Sequence, residues 1–150
     1  MTTTIALDDL PKHVGDHLGY SPWHQVTQEQ VNQFADATGD HQWIHVDPER
    51  AKSGPFGGPI AHGYLTLSLG PYLLPQLWQV TGISMGVNYG LNKLRFPSPV
   101  PVGKNLRVGA ALASVEEIAG GAQVTLDLTF EVEDQPKPAC VAQAVFRYYK

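Results

Sequence analysis

The most regular pattern in the chain runs from Ala122 to Glu133. Val124, Leu126, Leu128, Phe130 and Val132 alternate with polar residues without a break. Side chains of an extended strand point to opposite faces in turn, so this period predicts a strand with one buried face. Gly120-Gly121 precedes it as a turn. Weaker strand patterns cover Leu106 to Val115, Ala139 to Tyr149, and Met85 to Phe96, the last running into Pro97-Ser-Pro-Val-Pro101. The short connections favour an antiparallel sheet.

The first part of the chain changes period. Thr27-Gln-Glu-Gln30 matches a capping box, in which the threonine hydroxyl and the Gln30 side chain satisfy free N–H groups at a helix start. Val31, Phe34 and Ala35 follow at helical spacing, and Gly39 is placed to end the helix. Residues 40–59 are rich in His, Asp, Pro and Gly and read as a long loop. Ile60-Ala-His-Gly-Tyr-Leu-Thr-Leu-Ser-Leu69 is nearly all apolar or small, and charges are few out to Trp78. This predicts a helix buried on most sides, kinked or shortened at Pro71 and Pro75. An antiparallel sheet with one buried helix is an α+β architecture.

Bulk properties narrow the function. A chain of 150 residues fits a single domain, 1–150, with a sizeable core. Its 10 Lys and Arg are scattered and its formal net charge is −4, which argues against nucleic-acid binding. Cys140 is the only cysteine, so no disulfide framework is expected, which suits a reducing compartment. The N-terminus lacks a basic start followed by an apolar run, and no stretch approaches a membrane span. A soluble cytoplasmic protein is the expectation.

The polar residues cluster in the predicted loop: Asp36, Asp40, His41, Gln42, His45 and Asp47, with His62 after it. Three roles compete for them. Asp40 and His45 can turn into one cavity on a bent loop and divide the giving and taking of a proton. Asp40, His41, His45 and His62 can supply metal ligands, although no paired-Cys or His-Glu-x-x-His spacing is present and no metal is expected. Asp40 can also be a simple turn residue bonding its own backbone, with His45 satisfied by a carbonyl. The segment Pro59-Ile-Ala-His-Gly63 adds weight to the first role. Glycine lets a ligand approach the backbone, and free N–H groups at a helix start stabilise developing negative charge. Tight helix packing explains Gly63 equally well.

Phe34-Ala-Asp-Ala-Thr-Gly-Asp-His-Gln-Trp-Ile-His-Val-Asp47, followed by Gly57-Gly-Pro-Ile-Ala-His-Gly63, resembles the MaoC-like (R)-specific enoyl-CoA hydratases, or type 2 hydratases. The likeness runs from about Trp23 to the last strand. It implies the hot-dog fold, a curved antiparallel sheet wrapped around a central buried helix, and a homodimer. It also implies hydration of trans-2-enoyl-CoA to (3R)-3-hydroxyacyl-CoA in fatty acid metabolism, without a cofactor. By the same resemblance Asp40 and His45 are the catalytic pair and Gly63 supplies the oxyanion-hole N–H. His41, Gln42, Trp43 and Ile44 line the substrate site, and Phe96 contacts the acyl-CoA. Two positions depart from the family pattern: Gln42 stands for its Asn and Trp43 for its Pro. The larger Trp43 ring either narrows the pocket or packs the loop.

The carrier implied is CoA, with acyl-carrier protein as the alternative. Two rivals share the fold: an acyl-CoA thioesterase, and a non-catalytic acyl-CoA-binding module that lost the chemistry.

Overall fold

A computed structural model describes residues 1–150. Two short strands, β1 (Thr3–Ala6) and β2 (His17–Tyr20), with a 3₁₀ helix over Leu7–His13 between them, and a two-residue strand, β3 (His24–Gln25), precede the first α-helix. Helix α1 (Gln28–Thr38) starts where the cap signal places it: the Thr27 hydroxyl accepts from the Gln30 N–H at 3.1 Å. Only half of the predicted capping box forms, because the Gln30 amide oxygen bonds His24 Nε2 at 3.0 Å. Gly39 ends α1 in the left-handed region, φ +84°, with its N–H on the Ala35 carbonyl. Thr27→Ala should therefore cost about 1 kcal/mol of unfolding free energy, read from urea denaturation of the two proteins.

The expected loop at 40–59 is partly helical. Trp43–Val46 forms one turn, α2, and Pro48–Lys52 forms another, α3. Asp47 explains the break between them. Its carboxylate caps α3 by accepting from the Arg50 N–H at 3.1 Å, and Pro48 takes the first helical position, where no N–H is needed.

The expected buried helix over 60–78 is shorter and segmented. Pro59, Ile60 and Ala61 are extended and bonded to residues 100–102: Ala61 N–H donates to the Val100 carbonyl at 2.8 Å, and Val102 N–H to the Pro59 carbonyl at 3.0 Å. Helix α4 runs Gly63–Ser68 and α5 runs Gly70–Leu73, followed by a 3₁₀ turn over Leu74–Gln76. Pro71 and Pro75 lack the N–H groups that a continuous helix would use, which accounts for the segmentation. Trp78 belongs to a strand, β4 (Trp78–Thr81), paired in parallel with β1. The apolar face survives the breaks: Leu65, Leu69, Leu73 and Leu77 recur at helical spacing and are all buried.

The second part is the sheet. Strands β5 (Met85–Arg95), β6 (Asn105–Ile118), β7 (Gly121–Val132) and β8 (Cys140–Tyr149) join β2 in the order β2-β6-β7-β8-β5, all antiparallel, with β3 also on β6. The alternating face of β7 is the floor of the core, with Val124, Leu126, Leu128, Phe130 and Val132 each at most 2 % exposed. Burying each such side chain contributes about 1.5–3 kcal/mol. The helical segments lie against this face, and Phe130 reaches Gly70, where an added Cβ would sit 3.5 Å from its ring. The architecture is α+β: a hot-dog arrangement of one sheet wrapped on a central helical run.

Candidate active site

The site forms where three stretches of chain are tied together. Ile60 N–H donates to the Ile44 carbonyl at 3.0 Å, joining α2 to the extended segment before α4. The Gln28 amide donates to the His45 carbonyl at 2.8 Å, joining α2 to α1. His45 is thereby held with its ring buried, 7 % exposed.

One bond fixes the chemistry of that ring. His45 Nδ1 lies 2.7 Å from the Ile60 carbonyl oxygen. A carbonyl only accepts, so Nδ1 carries the hydrogen and Nε2 carries the lone pair. His45 is thus presented as a base. Burial holds its pKa below the usual histidine value; the Ile60 bond and the Asp40 carboxylate oppose that shift, and His62 reinforces it.

Asp40 follows Gly39 directly. Its Oδ1 accepts from the Gln42 N–H at 3.3 Å, a local turn bond of the kind an aspartate makes with its own backbone. Half of its side chain remains exposed. A carboxylate oxygen of Asp40 and a ring nitrogen from each of His45 and His62 lie within 4.8 Å of one another. A single water spans such a gap, since two hydrogen bonds of about 2.8 Å meet at the water oxygen. The turn role and the acid/base role of Asp40 are therefore compatible: one oxygen makes the turn and the other faces the histidines.

Of the four candidate metal ligands, His41 is elsewhere. Its Nε2 pairs with Asp36 at 3.0 Å, and that bond raises its pKa. The other three are poorly disposed for an ion. The His45 and His62 rings stack with centroids 3.9 Å apart, so their in-plane lone pairs run side by side instead of converging. His62 Nε2 is moreover a donor, bonded to the Asp40 carbonyl at 3.0 Å.

His45 opens onto a cleft of about 350 Å³ lined by Phe56, Ile60, Gly63, Thr66 and Phe96. Gly63 begins α4, so its N–H has no carbonyl one turn earlier in the helix. A side chain there would be tight: a Cβ on Gly63 would meet the Phe96 ring at 3.0 Å. The structure thus brings His45, Gly63 and Phe96 to one cleft, with Asp40 beside His45. Ile44 contributes its carbonyl to the tie with Ile60. The Gln42 carbonyl accepts from the His45 N–H at 3.0 Å at the start of α2. Trp43 does not line the cleft; its ring lies under the Arg50 guanidinium at 4.4 Å and against Gly54. Phe56 is a lining residue that no periodicity or motif singled out. A larger hollow of about 780 Å³ lies over the outer face of β5–β8 and holds no histidine, aspartate or cysteine.

Comparison with known proteins gives the family. The profile of the MaoC like domain matches residues 9–133. The chain is 54% identical over 149 residues to 3-hydroxyacyl-thioester dehydratase Z of Mycobacterium tuberculosis, covering 99% of each chain. It is 43% identical over 145 residues to nodulation protein N of Rhizobium leguminosarum bv. viciae, covering 92% of this chain and 88% of the other. Among solved structures, the (R)-hydratase from A. caviae involved in PHA biosynthesis superposes with a TM-score of 0.73 at 27% identity, covering 89% of this chain and 94% of that one. The chain belongs to the MaoC-like dehydratase family and is a hydro-lyase of the hydratase/dehydratase type.

Proposed function

We propose that the protein adds water reversibly to trans-2-enoyl-CoA to give (3R)-3-hydroxyacyl-CoA. The observation that carries this reading is the buried His45 Nε2 lone pair, fixed by the Ile60 bond and set beside the Asp40 carboxylate at the mouth of the Gly63 cleft. The thioester carbonyl accepts from the Gly63 N–H, which stabilises the enolate formed when C3 is attacked. A water between Asp40 and His45 adds its oxygen to C3. His45 takes the water proton, that proton passes to the Asp40 carboxylate, and Asp40 delivers it to C2, which returns both groups to their starting states. The two groups titrate together, so acid and base describe the pair's direction of turnover. Gln42 assists the water through its amide, His41 and Ile44 frame the loop, and Phe96 meets the acyl thioester. Trp43 acts from behind the loop by packing on Arg50. No metal or redox group enters the scheme.

The related dehydratase acts on 3-hydroxyacyl thioesters, which supports a thioester substrate and the reverse direction. CoA is the carrier in this reading and fatty acid metabolism the setting. A homodimer belongs to the same reading: β5 is an edge strand with Met85, Val87, Tyr89 and Leu91 exposed, and pairing of this edge with a second copy would cover them. A cytoplasmic location goes with it, Cys140 being a buried free thiol. No helix is long and apolar enough to cross a membrane.

Incubation with crotonyl-CoA under a free-thiol assay tests the reaction class. Loss of the enoyl absorbance without thiol release is expected; thiol release in step with substrate loss would make the protein a thioesterase, and binding with no turnover at any chain length would make it a binding module.

The pH dependence has a definite sign. His45 must be neutral to act as base, and its pKa is lowered. The acid limb of kcat/KM should therefore fall at a pH below the ordinary histidine value of about 6.5. A limb centred at or above that value would contradict the environment described for His45.

A further inference from the structure

His62 is a buried histidine that the proposed chemistry leaves unused. It is 3 % exposed and packed between two rings: Phe34 at a centroid distance of 4.8 Å and His45 at 3.9 Å. Its Nε2–H donates to the Asp40 carbonyl across 22 residues of chain. Its Nδ1 is buried with no hydrogen-bond partner. An unpartnered buried polar atom costs about 1–3 kcal/mol. A leucine would fill this space between rings without that cost. The fold keeps the costly side chain at the one place that touches both Asp40 and His45.

We propose that His62 is a positioning residue, whose Nε2–H anchors the Asp40 backbone while its ring face backs the His45 imidazole, so that acid and base keep their separation. This role rests on the assignment of Asp40 and His45 as the reacting pair. Asp40 stands in an exposed turn whose own hydrogen bond is local, from Gln42. The His62 bond is the long-range hydrogen bond that ties this residue to the helix start behind the cleft. His45 is fixed in its plane by Ile60 and across its plane by the stacked ring. The groups acting electrostatically on His45 are Asp40, from the turn after α1, and His62, from the start of α4; they act in opposite senses.

The test is steady-state kinetics on crotonyl-CoA across pH for H62L, H62Q, D40N and H45Q, with Tm recorded for each. In H62L, kcat should fall about 10- to 100-fold, the cost of a displaced reacting group, with KM little changed. Its Tm should stay within about 4 °C of wild type, since the lost bond is offset by removal of the orphaned Nδ1. In H62Q the amide can still donate to the Asp40 carbonyl, so it should recover most of the kcat lost in H62L. Its acid limb should shift to higher pH, because the ring that opposes charge on His45 is gone. Wild-type kcat in H62L, or in H62Q a kcat as low as that of H62L, overturns the role given to His62. If H62L does not fold, H62Q decides alone: an acid limb moved up with turnover kept supports the proposal, and an unmoved limb overturns it. Near-wild-type turnover in D40N or H45Q overturns the catalytic pair itself, a failure distinct from loss in those two with no effect at His62.

Discussion

His45→Gln is expected to lower kcat for crotonyl-CoA hydration by about 10²–10⁴-fold while the protein keeps its fold. Glutamine can still donate to the Ile60 carbonyl, so the local tie that places α2 persists. What disappears is the Nε2 lone pair. Asp40→Asn removes the other half of the pair and should lose activity on the same scale, because the asparagine oxygen preserves the turn bond to Gln42 but exchanges no proton. The two losses should not multiply in the double variant, since residues that act as a unit lose their effect once either is gone. Steady-state rates for the three variants, with circular dichroism as the folding control, check this. Turnover within a few-fold of wild type in either single variant would remove the pair from the mechanism.

The second large effect concerns stability. Phe130→Ala should lower unfolding free energy by about 3–5 kcal/mol. For a chain of this size that is a drop of roughly 10 °C in Tm. Phe130 is fully buried on β7, faces Val108 on β6, and supports Gly70 where the helical run is segmented. Truncation leaves a hollow beneath that break, and α4, which carries Gly63, precedes it. Calorimetry of the variant measures the loss. A Tm within about 3 °C of wild type would show that the sheet and helix collapse onto the gap, contrary to the close packing of this core.

The elements legible in the sequence were those whose own side chains decide the structure. The β7 alternation predicted its buried face residue by residue, because one face of that strand meets the helix and the other does not. The Thr27 cap and the Gly39 stop marked α1 because capping is a local matter. The residues from Ile60 to His62 misled, since their apolar run is buried by pairing with 100–102 and not by helix formation. Helicity in 43–52 was hidden because two single turns have no period to display. The short strands β1 to β4 were silent for the same reason. At the site, the spacing of Asp40 and His45 left the pair open to other roles. The Ile60 carbonyl, a backbone atom that no residue type announces, satisfies Nδ1 as the bland role expects and leaves Nε2 free as the acid/base role needs. His62 was visible only as one more histidine. Its stacking on His45 and its bond to Asp40 come from the way α4 meets the turn after α1.

The most direct test of the central claim is chiral analysis of the product formed from trans-2-enoyl-CoAs. A water held on one side of the substrate by Asp40 and His45 predicts a single (3R)-3-hydroxyacyl-CoA, formed by the wild-type protein and suppressed in D40N and H45Q. A racemic or 3S product, or the 3R product at undiminished rate in either variant, would contradict it.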